Sequence, residues 1–252
     1  MSVTQVKPNS LIHGDCLQVM KFIEDKSIDM ILCDLPYGIV ACAWDTIIPL
    51  ESLWEQYKRI IKKNGVICLT AVQPFTSELV MSNKKWFKYE WIWEKSNGTN
   101  FFNCTKMPLR AHENILIFYA NSITYNPQKT IGNKYKKKQG RVPEIYSNSI
   151  YDKTTTDNTD GSRFPKTILK VNYDNMDKIH PTQKPISLFD YLIKTYTNEK
   201  DVVLDNCAGS GTTAIAAIRL NRNYILIEKE LTYYELAKKR IEAELRQTTI
   251  KF

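Results

Sequence analysis

Near its C-terminal end, this 252-residue chain runs directly from an apolar strand into a glycine turn and a helix. The strand is Val202-Val203-Leu204-Asp205, the turn Asn206-Cys207-Ala208-Gly209-Ser210-Gly211, and the helix opens at Thr212-Thr213-Ala214. A second apolar strand over 224–228 and a helix over 231–246 follow. Strand, crossover helix and strand in so short a span pair as parallel neighbours in a right-handed βαβ unit. Parallel strands in turn require helices on both faces of their sheet. Glycines at the strand exit let the backbone pass close to a ligand, and the N–H groups of the next helix face it. Gly209 to Ala214 fits the spacing G-x-G-x-x-A, and Glu228 ends the next strand, where an acid can accept from the ribose hydroxyls of an adenosine moiety. No Lys follows Gly211, which excludes a P-loop. On its own the turn admits either NAD or S-adenosylmethionine.

The first half repeats the alternation. Short strands are predicted over 10–14 and 28–33 with a helical stretch near 16–24 between them. Leu50, Leu53, Trp54, Tyr57, Ile60 and Ile61 share one face of a helix over 50–62, with Gly65 as its stop signal. Strands are predicted over 66–70, 89–93 and 114–119. From 121 to 179 no periodicity persists, and a loop-rich stretch of that length inside a compact domain is functional or disordered. After it come His180-Pro181-Thr182-Gln183-Lys184-Pro185 and an amphipathic helix carrying Leu188, Phe189, Tyr191, Leu192, Ile193 and Tyr196. The expected organisation is one α/β core in two halves, 1–120 and 180–252, around an insertion at 121–179.

Charge singles out that insertion. The formal net charge is +8, and 121–179 holds 11 basic against 6 acidic side chains, leaving 24 against 21 elsewhere. Lys134, Lys136, Lys137, Lys138 and Arg141 lie in it, and such clustering suits a polyanion, nucleic acid above all, or else a solvated loop. The six cysteines (16, 33, 42, 68, 104, 207) and three histidines (13, 112, 180) are scattered, so no metal site and reduced thiols are expected. The opening residues carry no apolar leader and no run reaches the roughly 18 residues of a membrane span, which predicts a soluble, cytoplasmic protein.

A second loop, Cys33-Asp34-Leu35-Pro36-Tyr37-Gly38, follows the 28–33 strand at the edge where open α/β sheets bind ligands. Alone it reads equally as a strand-ending turn. Taken together the motifs are far more specific. Asp34-Leu-Pro-Tyr37 resembles the Asp-Pro-Pro-Tyr catalytic motif of DNA amino-methyltransferases, and 205–213 resembles their S-adenosylmethionine motif. The 180–185 element matches a third motif that these enzymes place before the glycines. Catalytic motif first and cofactor motif last is similar to the β group, a circular permutation of the usual order. The resemblance covers 10–120 and 180–246 and implies a Rossmann-like fold, a mixed seven-stranded sheet flanked by helices.

It also implies roles. Asp205, Asn206, Cys207, Gly209, Ser210, Gly211, Thr212 and Thr213 would form the cofactor turn, with Glu228 on the ribose. Asp15, beside Cys16, would accept from the adenine amine of the cofactor, or simply cap a helix. Thr182, Gln183 and Lys184 would lie toward its methionine end. An exocyclic amine is a poor nucleophile because its lone pair is delocalised into the base. Asp34, which also borders the cofactor, and a backbone carbonyl at Leu35 or Pro36 would accept its two hydrogens and draw the nitrogen toward tetrahedral geometry. Tyr37 would stack on a base swung out of duplex DNA. Residues 121–179 would recognise the target.

The family usually has Pro where this chain has Leu35, which puts the rigidity of the loop in question. Asp at the first motif position favours N6 of adenine. The alternatives are N4-cytosine methylation and a DNA-binding protein with impaired catalysis; a dehydrogenase leaves 34–37 and 180–185 without a role. Trp44-Asp45 reads equally as a border of the base pocket or as a core Trp beside a helix cap, and His112-Glu113 is read as structural rather than catalytic. A homodimer and a cognate restriction endonuclease are possible partners.

Overall fold

The computed structural model describes residues 5–38, 46–137, 156–172 and 183–249. Trp44, Asp45, Lys138, Arg141 and Thr182 lie outside the described residues, as do His180 and Pro181, and of Lys137 only the backbone is described. In chain order the first half forms β1 (Ser10–His13), α1 (Cys16–Val19), β2 (Ile28–Asp34), α2 (Leu50–Ile60), β3 (Ile61–Ala71), α3 (Phe75–Ser82), β4 (Phe87–Thr99) and β5 (Arg110–Phe118). Four short strands follow: β6 (Thr130–Ile131), β7 (Tyr135–Lys137), β8 (Thr156–Asn158) and β9 (Ser162–Arg163). The remainder is β10 (Ile168–Lys170), α4 (Ile186–Tyr196), β11 (Val202–Asp205), α5 (Thr212–Arg219), β12 (Asn223–Glu228) and α6 (Leu231–Thr249).

Eight strands make one sheet in the order β1-β12-β11-β2-β3-β5-β4-β10. The pairings are parallel except β3–β5 and β5–β4. Both faces are covered, which explains the near-continuous apolar runs. Along β2, Ile31 and Cys33 pack with Leu53, Trp54, Tyr57 and Phe75 of α2 and α3. Met30 and Leu32 point the other way, to Leu188, Leu192 and Ile215 of α4 and α5. Period-2 alternation between two buried faces erases the polar half of the usual strand signal.

Four local differences from the sequence reading have clear reasons. The sheet has eight strands rather than seven, because Ile168-Leu169-Lys170 adds to the edge beside β4. Only Leu169 of the three is buried, too little to register as a period. Helix α2 stops at Ile60, and Gly65 lies in an irregular part of β3 between the Ile28–Ile61 and Met30–Val66 pairs. A Cβ there would sit 2.8 Å from the Asp29 carbonyl oxygen, so Gly65 permits a close strand contact and is not a helix stop. Helix α3 leaves no clear amphipathic stripe in the sequence; its Phe75-Thr-Ser-Glu-Leu-Val-Met-Ser carries just Phe75, Thr76 and Leu79 into the core. Strands β4 and β5 run on past their apolar stretches into a hairpin.

Residues 127–166 form a compact unit of their own, distinct from the unit of 1–126 and 167–252. In it β6 pairs with β9 and β7 with β8, both antiparallel. Arg163 ties these ribbons together: its guanidinium lies 4.6 Å from the Tyr135 ring centroid and donates to Asn158 Oδ1 (2.8 Å) and to the Asn133 carbonyl oxygen. Among the described residues no helix is long and apolar enough to cross a membrane.

Candidate active site

From β2 the chain turns toward β3, and from β11 it turns the opposite way toward β12, so the strand order reverses between β11 and β2. The crevice at the carboxyl ends of two such strands is where open α/β sheets bind ligands. Asp205 ends β11 and Asp34 ends β2.

On the β11 side the turn is held from below. Asp205 is buried and accepts from the Cys207 N–H (3.1 Å) and from Thr213 Oγ1. Burial raises its carboxyl to about 6 against the pull of those bonds. Tyr57 Oη of α2 donates to Asn206 Oδ1 (2.5 Å), and Arg240 of α6 donates to the Ser210 carbonyl oxygen (2.6 Å). Gly209 and Gly211 take φ of +51° and +79°, the left-handed region that glycine enters without Cβ strain. Their surroundings differ. A Cβ on Gly211 would meet Ala237 Cβ at 3.0 Å, whereas nothing lies within 4 Å of a Cβ on Gly209. One glycine lets α6 pack closely; the other keeps the crevice open.

Glu228 and Asp15 stand on neighbouring strand ends, since the Gly14 N–H donates to the Glu228 carbonyl oxygen (2.9 Å). The Glu228 carboxylate accepts from the N–H groups of Gly209 (2.7 Å) and Glu230 (2.8 Å), and burial raises its pKa. Asp15 caps α1 through Oδ1, from Leu17 (3.0 Å) and Gln18 (3.2 Å). The capping role is thus present, and it uses one oxygen.

On the β2 side Asp34 gathers three donors. Oδ1 accepts from Tyr37 Oη (2.5 Å) and Thr70 Oγ1, and Oδ2 pairs with Lys184 Nζ at 2.5 Å. Lys184 Nζ also lies 3.3 Å from Glu113 Oε2, and Glu113 Oε1 lies 2.5 Å from Lys95 Nζ. Lys184, Glu113 and Lys95 are buried, whereas the Asp34 side chain keeps 25% of its surface open. Positive and negative groups alternate along this row and its charge sums to zero. Burial pulls Lys184 down, but Asp34, Tyr37 and Glu113 outweigh it and hold the ammonium well above the ordinary lysine range. Burial and the neighbouring Asp34 push the Tyr37 phenol up.

The motif resemblance puts Lys184 toward the methionine end of a cofactor; in the fold its ammonium sits on the Asp34 carboxylate. Tyr37 packs its ring against Phe75 (centroids 5.6 Å apart) with its hydroxyl on Asp34. Thr70 and Lys95 belong to no motif, so nothing in the sequence singles them out. Thr70 reaches Asp34 by register, as its partner across the β2–β3 pair. Glu113, read as structural, takes part in the row. Leu35 is 4% exposed and joins the core beneath the loop, so a buried side chain anchors the position that usually carries a ring.

A sequence model of the DNA methylase family, covering N6 and N4 amino-methyltransferases, matches residues 28–239. The chain belongs to the N6/N4 DNA methylase family. The match takes in Asp34, the 205–213 turn and Glu228, and leaves β1, Asp15 and Cys16 outside it. Among individual DNA methylases, the chain is 28% identical to the type II methyltransferase M2.MboI of Moraxella bovis over 92% of its own length and 86% of the relative's. It is 29% identical to M.HinfI of Haemophilus influenzae over 92% and 68%. Solved structures with the same fold include M1.HpyAVI in its SAM complex (TM-score 0.64, 24% identity, 92% and 98% covered). The cytosine-N4-specific PvuII methyltransferase superposes as well (TM-score 0.66, 14% identity, 94% and 88% covered). As a family member the chain is a DNA methyltransferase of Rossmann-like fold.

Proposed function

We propose that this DNA methyltransferase moves a methyl group from S-adenosylmethionine to N6 of an adenine swung out of duplex DNA, with Asp34 as acceptor for the target amine. One observation carries the reading: a part-open carboxylate, held by three donors, ends the strand beside the 205–211 turn.

When bound, S-adenosylmethionine supplies a methyl group on a sulfonium, which an amine can attack: the N–C bond forms as the S–C bond breaks, a neutral thioether leaves, and the amine gives up one proton. The donor set of the crevice fits such a group. Each Glu228 oxygen accepts one backbone N–H and has a further lone pair for a ribose hydroxyl. Asp15 has Oδ2 for an adenine amine, and the space beside Gly209 admits a ligand that a Cβ would obstruct. A carboxylate offers about four acceptor positions. Tyr37, Thr70 and Lys184 use three on Asp34, and the fourth is for the target amine. Those three donors also fix the orientation of the carboxylate, so little reorganisation accompanies catalysis. Leu35, anchored in the core, holds the loop carbonyl that would accept the second amine hydrogen. The choice of adenine rests on Asp at position 34. Segment 121–179, which includes the compact unit, would recognise the target, with the exposed Lys134 and Lys136 on phosphates as point charges.

Tritium transfer from labelled S-adenosylmethionine, followed by nucleoside analysis, tests the reading. Label in duplex DNA as N6-methyladenine is expected. N4-methylcytosine alone overturns the base assignment, and label in RNA or protein but not in DNA overturns the substrate.

The two glycines separate cofactor binding from stability. Gly209→Ala is expected to cost about 1 kcal/mol of stability, the left-handed penalty, while weakening S-adenosylmethionine binding tenfold or more. Gly211→Ala adds a backbone and side-chain clash with Ala237 and is expected to lower the melting temperature further. Calorimetric titration and thermal unfolding of both variants check this. Equal losses of affinity would show that Gly209 does not face the cofactor.

A further inference from the structure

The hairpin between β4 and β5 contributes no residue beyond Glu113 and Lys95 to the row at Asp34. Strand β4 pairs antiparallel with β5, and β5 antiparallel with β3, so β4 runs with β2 and β3 and its end at Thr99 lies on the Asp34 edge of the sheet. Glu113, one side chain from Asp34 through Lys184, begins the rise of the hairpin on β5. From Glu113 the strand extends three residues to Arg110, roughly 10 Å at about 3.3 Å per residue, before the tip begins.

The tip is apolar, exposed and fixed. Phe102 is 99% exposed and Phe101 72%, with Met107 and Leu109 also exposed. Its backbone is nonetheless tied: the Asn103 N–H donates to Asn100 (3.0 Å), Cys104 to Phe101 (3.0 Å), and Lys106 (2.9 Å) and Met107 (3.0 Å) to Asn103. Asn100 and Asn103 bond side chain to side chain (2.7 Å). Cross-strand contact at the base is close, since a Cβ on Gly98 would lie 2.7 Å from Leu109 Cβ. Two phenylalanines are therefore held out in water by a built loop, beside exposed Met107 and Leu109, and a contiguous apolar patch of this kind marks an interaction site. Between Lys95 and His112 the chain carries Lys106 and Arg110 and no acid, which suits a polyanion rather than an acidic protein surface.

We propose that this hairpin is a wedge for duplex DNA, Phe102 entering the base stack beside the target adenine with Phe101 against the neighbouring base, while Lys106 and Arg110 meet the phosphates. The proposal rests on Asp34 being the group that meets the target amine. Apolar side chains inserted between base steps unstack them, and each base–aromatic stack is worth roughly 1–3 kcal/mol, or about 5- to 150-fold. A wedge lowers the cost of extruding a base, so its loss hurts where the base is paired and little where it is already free.

The experiment uses the full chain and oligonucleotides carrying its recognition site, read from the modified positions in long DNA that the wild type has methylated. Methyl transfer by wild type, Phe102→Ala and Phe102→Trp is compared on a matched duplex and on one with an abasic site opposite the target. Phe102→Ala is expected to lose at least tenfold in kcat/KM on the matched duplex and less than threefold on the opened one, and Phe102→Trp to stay near wild type. Melting temperature should not move, because Phe102 touches no core. Equal losses on both duplexes, or none, overturn the wedge. Light scattering that shows Phe102→Ala turning a dimer into a monomer assigns the phenylalanines to contact between copies and also overturns it. A wild type that labels no DNA removes the site reading itself, and the wedge with it.

Discussion

Asp34→Ala is expected to lower kcat for methyl transfer by roughly 10²-fold or more, the usual effect of removing one preorganised polar partner of a reacting group. Affinity for S-adenosylmethionine should stay within a few-fold, because the turn at 205–211, Glu228 and Asp15 are untouched. The fold should also persist: Lys184 loses one carboxylate but keeps Glu113 at 3.3 Å. Loss in kcat without loss in cofactor binding separates an acceptor acting on the amine from a residue that merely shapes the crevice. Single-turnover transfer to duplex DNA, with calorimetric titration alongside, provides both numbers. A residual rate above a tenth of wild type takes Asp34 out of the reaction.

The second large effect concerns stability. Glu113 lies between two buried ammonium groups, 2.5 Å from Lys95 and 3.3 Å from Lys184. Glu113→Gln keeps the shape and removes the charge; Lys184 retains Asp34 at 2.5 Å, but the buried Lys95 then faces a neutral amide and the row carries a net positive charge. Breaking a buried ion pair from one side costs about 3–5 kcal/mol. For a chain of this size that corresponds to a fall in melting temperature of roughly 6–20 °C. Adding Lys95→Met should recover part of the fall, because Lys184 and Asp34 then form a neutral pair again. Thermal unfolding of the single and double variants gives the answer. A double variant no more stable than Glu113→Gln would mean that packing, and not charge, makes Glu113 necessary.

What the sequence disclosed follows the range of each interaction. The 205–213 turn, the 34–37 loop and the buried strands are local patterns, legible from spacing and composition. Two carboxylates ending adjacent strands could be named, although Ile31 and Leu204 pair across 173 positions. What escaped depends on register and depth. Thr70 is an ordinary strand residue until β3 lies beside β2 and sets it opposite Asp34. Nothing in the sequence pairs Lys95 with Glu113 until the Trp93–Glu113 register of β4 and β5 brings them together inside. Lys184 belonged to a recognised motif, yet only the folded chain puts its ammonium on Asp34. Leu35 reads as a departure from the usual ring at that position, and only the fold shows that its side chain is buried in the core.

The pairing of β2 with β11 has a consequence for how the protein is made. As the chain leaves the ribosome, β2 can dock on β3 within about 40 residues, but its other edge must wait for β11, some 173 residues later. At about 5–20 residues per second that wait lasts roughly 9–35 s. Throughout it, an apolar strand offers an unpaired edge, the template on which chains aggregate. The same delay keeps the crevice between Asp34 and Asp205 from existing on any unfinished chain, so a truncated product carries Asp34 but has no wall opposite it. Nascent-chain crosslinking along β2 would find this edge held by a chaperone until the last strands emerge.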